Sequence, residues 1–92
     1  MTDVVVTPLG EGSFRAEVTE GPLTTSHRVS VPDDFLDRLG LRGVDEELVV
    51  RETIRFLLER EPATSILPDF SLEDVPRYFA EFREELSRRL AR

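Results

Sequence analysis

Pro32 divides this chain by hydrophobic period. Before it, apolar residues alternate with polar ones. Val4 and Val6 do so first, then Phe14, Ala16 and Val18, then Val29 and Val31 against Arg28 and Ser30. A period of two marks strands with one buried face, the habit of antiparallel sheets. Gly10-Glu11-Gly12 and Gly21-Pro22 supply the turns between these runs. After Pro32 the apolar spacing lengthens to that of helices. The predicted fold class is α+β: a three-stranded antiparallel meander over 3–31, then three helices over 32–92, all in one domain spanning 1–92.

The helical part carries its own punctuation. Pro32-Asp33-Asp34 opens a first helix with Phe35, Leu36 and Leu39 on one stripe, and Gly40 ends it as a left-handed cap. Asp45 caps a second helix, with Glu46 and Glu47 in the first turn where negative charge suits the dipole. Pro62 stops that helix near Glu61. The segment 62–70, PATSILPDF, is a connection whose Ile66, Leu67 and Phe70 should pin it to the core. The last helix has two candidate starts, a capping-box pair Ser71 and Asp74, or Asp74 with Pro76 in the first turn. A short turn followed by a restarted helix satisfies both. Val75, Phe79, Phe82, Leu86 and Leu90 then form one apolar stripe.

The second helix is apolar on two sides. Val50, Ile54, Leu57 and Leu58 share one arc, while Val49 and Phe56 lie on another. Such a helix contacts two layers, and a chain of 92 residues gains core by pairing with a second copy. The expectation is a homodimer, formed through Val49 and Phe56 or through the 23–31 strand at a sheet edge. Tyr78, at the margin of the last stripe, joins Val49 and Phe56 as a candidate interface residue.

Charge narrows the partners. The net charge is −7, spread along the chain with no basic block, and every basic residue is arginine. Nucleic-acid affinity rests on neutralising phosphates, so this balance favours protein partners over nucleic acid. The missing Lys and Asn, both with A-rich codons, fit a GC-rich genome, and acidity without lysine also suits a salt-rich cell interior. With no cysteine there is no disulfide framework, thiol nucleophile or zinc-thiolate site. MTDVVVTPLG lacks the pattern of a signal peptide, and no apolar run reaches the roughly 18 residues of a membrane span. The expected setting is the cytoplasm, with no membrane partner.

Enzyme chemistry finds no foothold. His27 is the only histidine and shares a strand face with Val29, the place of a packed side chain. Ser26 and Ser30 point to the opposite face, so neither converges with His27 and Asp33 as a triad requires. The glycines form neither a P-loop nor a dinucleotide fingerprint. Asp33-Asp34-Asp37 and Asp45-Glu46-Glu47 sit at helix starts, where carboxylates act as caps rather than converging on a divalent cation. The expectation is no catalytic residue, no cofactor and no metal.

The stretch TSHRVSVPDDFLDRLGLRGVDEELVVRETIRFLLER, Thr25 to Arg60, resembles the ribbon-helix-helix family of small dimeric DNA-binding regulators. RVSVPDDFLDRL and VRETIRFLLER carry the likeness. It implies a strand paired with its two-fold mate in the major groove, with Ser26, Arg28 and Ser30 reading bases. It also implies a phosphate at the start of the second helix, where Asp45-Glu46-Glu47 would repel it. FLLEREPATSIL with Tyr78-Phe79 resembles a segment of small proteins from GC-rich bacteria and haloarchaea, which implies no activity. The favoured function is a non-enzymatic protein-interaction or regulatory module. The alternative is a DNA-binding transcriptional regulator or antitoxin.

Overall fold

A computed structural model describes residues 2–90. The fold is α+β, a four-stranded sheet with helices on one face. The alternating runs form β1 (Thr2–Gly10), β2 (Ser13–Glu20) and β3 (Leu23–Ser30), paired antiparallel as a meander. Val6, Phe14, Ala16, Val18, His27 and Val29 are buried beneath the helices. Gly12 makes the first turn tight. Its φ is +75°, its carbonyl accepts the Val31 N–H at 2.8 Å, and a Cβ there would meet the Val31 carbonyl oxygen at 2.9 Å.

The fourth strand corrects one expectation. β4 (Asp69–Ser71) runs parallel to β3, pairing Arg28 with Asp69, Val29 with Phe70 and Ser30 with Ser71. The Arg28 N–H donates to the Pro68 carbonyl at 2.7 Å. The last three residues of β3 are therefore interior, and β1 and β4 are the edge strands. Three residues are too few to display a period of two, so PATSILPDF read as connection alone.

α1 (Phe35–Arg38) is a single turn. Gly40, at φ +72°, ends it with Leu41 N–H bonding to Leu36 O and Gly40 N–H to Asp37 O, a Schellman closure. α2 (Glu46–Leu58) starts on Asp45, whose Oδ1 accepts the Glu47 N–H at 3.0 Å. It is buried at Val49, Val50, Thr53, Ile54, Phe56 and Leu57. The Thr53 hydroxyl donates back to Val49 O at 2.8 Å, so its burial leaves no orphan.

Both sides of α2 are covered from within the chain. One side meets β1 and β2, and the other meets α4 (Phe82–Leu90). Phe56 packs on Phe82 at 5.1 Å between centroids and on Phe79, edge-on, at 5.9 Å. Val49 is 0% and Phe56 1% exposed. This corrects their assignment as interface residues: both are buried within the chain, and Phe56 packs on its own C-terminal helix.

The last helix does restart, and it is split. Ser71 Oγ accepts the Glu73 N–H while Asp74 accepts the Ser71 N–H, closing a 3-10 turn at Leu72–Asp74. α3 (Val75–Tyr78) follows, with Pro76 in its first turn where no ladder bond is lost. Phe79, extended at φ −132° and ψ 93°, breaks the path before α4 begins. The expected third helix is thus two.

Candidate functional site

His27 ties two segments of the chain together. It is buried, and its Nδ1 lies 2.9 Å from the Leu67 carbonyl, which can only accept, so Nδ1 carries the proton. In the neutral ring Nε2 then accepts from the Thr25 hydroxyl at 2.8 Å. This bridge fastens the 62–70 segment to β3. Ser26 and Arg28 are exposed and Ser30 half-buried on the opposite, solvent-facing side of the sheet. No group of three or more His, Cys, Asp or Glu able to hold a metal occurs among the described residues. Asp34 and Asp37 pair instead with Arg38 and Arg42, and Glu47 with Arg51.

The open sheet face is arranged in cross-strand rows. One row reads Thr7, Arg15, Arg28, Asp69 and the next Val5, Glu17, Ser26. Its charges are of both signs, with Arg15 and Arg28 adjacent and Asp69 and Glu17 beside them, so the three residues expected to read DNA lie on a mixed polar surface rather than a basic one.

A concave feature lies away from this face. A groove of about 290 Å³ opens where the end of α2, the 65–67 segment, β4 and α3 meet. Leu57, Ile66, Phe70 and Val75 form its floor, and Phe79 and Tyr78 its far wall. Ile66 and Phe70 are buried, as the connection's apolar residues were expected to be, but Leu67 is 54% exposed and stands at the lip. Tyr78 is 72% exposed. Of the candidate interface residues only Tyr78 is at a surface, and the structure brings it together with Leu67, not with Val49 or Phe56.

Polar groups are confined to the rim. Ser65, Glu61 and Asp74 line it. Asp74 is already occupied by the Ser71 N–H and lies 3.8 Å from Arg77. Glu61 is half-buried and has no cation within ion-pair distance among the described residues.

The wall of the groove is braced by ions behind it. Arg60 pairs with Glu81 at 3.1 Å, and Arg89 reaches Glu59 at 2.6 Å and Glu85 at 3.3 Å. Hydrogen bonds from Arg89 hold the Glu59 carboxyl below its ordinary value of 4.5, against a small desolvation, with Arg60 assisting. Glu81 is lowered by its own backbone N–H and then by Arg60. Partial burial disfavours the Arg89 charge, but its bonds to Glu59 and Glu85 outweigh this and raise its pKa. These pairs hold α4 against α2, and with it the Phe79 break.

No family model, curated protein or solved structure matches the chain. No described helix is long and apolar enough to cross a membrane.

Proposed function

We propose that this chain is a non-enzymatic interaction module, working in the cytoplasm, that seats a short segment of a partner protein in the groove beside Tyr78. The partner segment presents an apolar side chain next to an Arg or Lys. The observation that carries this reading is an apolar floor beside Glu61, a carboxylate at its rim with no ion-pair partner among the described residues. At about 290 Å³ the groove sits at the floor of the roughly 300–1,000 Å³ typical of small-molecule sites. One or two side chains suit it better than a cofactor. A basic neighbour would meet Glu61, and its charge could also lie on the Tyr78 ring.

Tyr78 is the only tyrosine and there is no tryptophan, so tyrosine fluorescence reports on the groove alone. Short peptides pairing Leu or Phe with Arg should change that emission saturably, and the same peptides with Glu in place of Arg should not. Glu61→Arg should reverse the preference. Absence of any saturable change with the basic set would sink the reading.

A second reading, DNA recognition by a ribbon-helix-helix-like regulator, draws on Arg15 and Arg28 standing side by side on the open face. Arg28 could donate a bidentate pair to guanine. Against it count Asp69 and Glu17 in and beside the same row, and the pairing of β3 on both sides at 28–30. Sequence-specific retention of genomic fragments, abolished by Arg28→Ala, would favour it over the groove.

A further inference from the structure

We propose that two copies of this chain pair through β1, antiparallel about a two-fold axis at Val5, to form one continuous sheet. The inference goes beyond the groove and does not depend on it. β1 is an edge strand of nine residues. The direction of its backbone groups follows from the interior of the sheet. Val31 N–H bonds to Gly12 O on the β2 side, while Arg28 N–H bonds to Pro68 O on the β4 side. In β3, odd positions therefore face β2 and even positions face away. Carried through the pairs Phe14–Val29 and Thr7–Arg15, the alternation makes Asp3, Val5 and Thr7 bond to β2. Thr2, Val4, Val6 and Pro8 then turn their backbone groups outward.

Pro8 fits this assignment, since proline is tolerated on a strand where its missing N–H would face away from the sheet. With the axis at Val5, Val4 lies opposite Val6 of the other copy, and each pair can exchange both backbone bonds. Thr2 lies opposite Pro8, whose carbonyl accepts and whose absent N–H falls at the end of the ladder. Asp3, the one charge in the strand, lies opposite Thr7 and not its own copy. The half-exposed Val5 side chains meet on the open face. The register thus joins like with like only where like is apolar, which is what selects a second copy as the occupant.

A strand pair alone falls short of the roughly 1,200 Å² at the lower bound of stable interfaces, so the dimer forms with rising concentration. The chain contains no cysteine, which makes a direct test available. Val5 is 50% exposed, so Val5→Cys leaves the core intact. Facing positions in a non-hydrogen-bonded pair lie about 4.5 Å apart at Cα, within disulfide range. Mild oxidation should give a covalent dimer with Val5→Cys and little with Leu9→Cys, whose copies would be separated by about 27 Å along the strands. Val4→Pro, which removes an outward N–H and no bond to β2, should abolish the cross-link in the Val5→Cys background. Circular dichroism and a thermal melt on each variant separate loss of pairing from loss of fold. Equal cross-linking at Val5 and Leu9, or a folded Val5→Cys chain that does not cross-link and scatters as a monomer at high micromolar concentration, overturns the proposal. Tyrosine titration of the folded Val4→Pro chain keeps this outcome apart from that of the groove.

Discussion

Arg60 lies over the ring of Phe56, its guanidinium carbon 3.6 Å from the ring centroid, while its Nη1 donates to the Phe56 carbonyl at 3.0 Å. The same side chain reaches Glu81 at the start of the C-terminal helix. One residue just beyond the end of α2 thus covers the aromatic cluster and holds the strand-like break at Phe79 in place. Arg60→Ala should destabilise the fold by about 1–2 kcal/mol, the scale of a partly desolvated cation–π contact. Urea unfolding followed by circular dichroism measures it. A change within error would mean that the stacking contributes nothing.

Phe56→Ala should cost far more, about 3–5 kcal/mol, because it removes a fully buried ring and leaves a cavity between α2 and α4. Were Phe56 an exposed contact for a partner, the loss would be a few tenths of a kcal/mol and would leave the melt unmoved.

Acid should loosen the C-terminal helix. Glu59 and Glu81 are both held below 4.5 in the folded chain. A lowered carboxyl pKa means that the folded state favours the charged form. Its stabilisation is fully present above about pH 4.5 and is lost as pH falls through the lowered native value. The thermal midpoint should therefore drop below pH 4.5, and Arg89→Ala should flatten that slope by removing the main partner of Glu59. An Arg89→Ala chain with the parent slope would contradict the assignment.

Gly12→Ala should destabilise by more than about 1 kcal/mol. The position has positive φ, and the added Cβ would press on the Val31 carbonyl at 2.9 Å. Gly10→Ala, equally left-handed but with nothing within 4 Å, should cost less. The difference between the two melts isolates the close approach from the backbone strain.

Much of this fold was legible before Pro32 and at the helix starts. Phe14, Ala16 and Val18 alternate cleanly because their strand is central with one face in water. Asp45 caps α2 as its type and place suggest, and His27 is packed as its neighbour Val29 implies. What escaped depends on contacts distant along the chain. Nothing within Asp69–Ser71 marks it as a strand, since it is one only because β3 offers it Arg28 N–H. Val49 and Phe56 were correctly read as a second apolar side, but periodicity cannot say whether that side faces another chain or Phe82 of this one. The groove was hidden for the same reason. Leu67 and Ile66 are adjacent and equally apolar, yet one is buried and the other stands at the lip. The trace available beforehand was three large apolar residues in a nine-residue connection and a tyrosine beside a helical stripe.

The claim on which the functional account depends is that Leu67 and Tyr78 flank a site for an apolar, basic peptide segment. Amide chemical-shift mapping during titration with a Leu-Arg-containing peptide tests it most directly. The account predicts saturable shifts concentrated at Leu57, Glu61, 65–67, Phe70 and 74–79, abolished by Tyr78→Ala with the rest of the spectrum unchanged. Shifts clustered instead on the open sheet face around Arg15 and Arg28, or none at all, would contradict it.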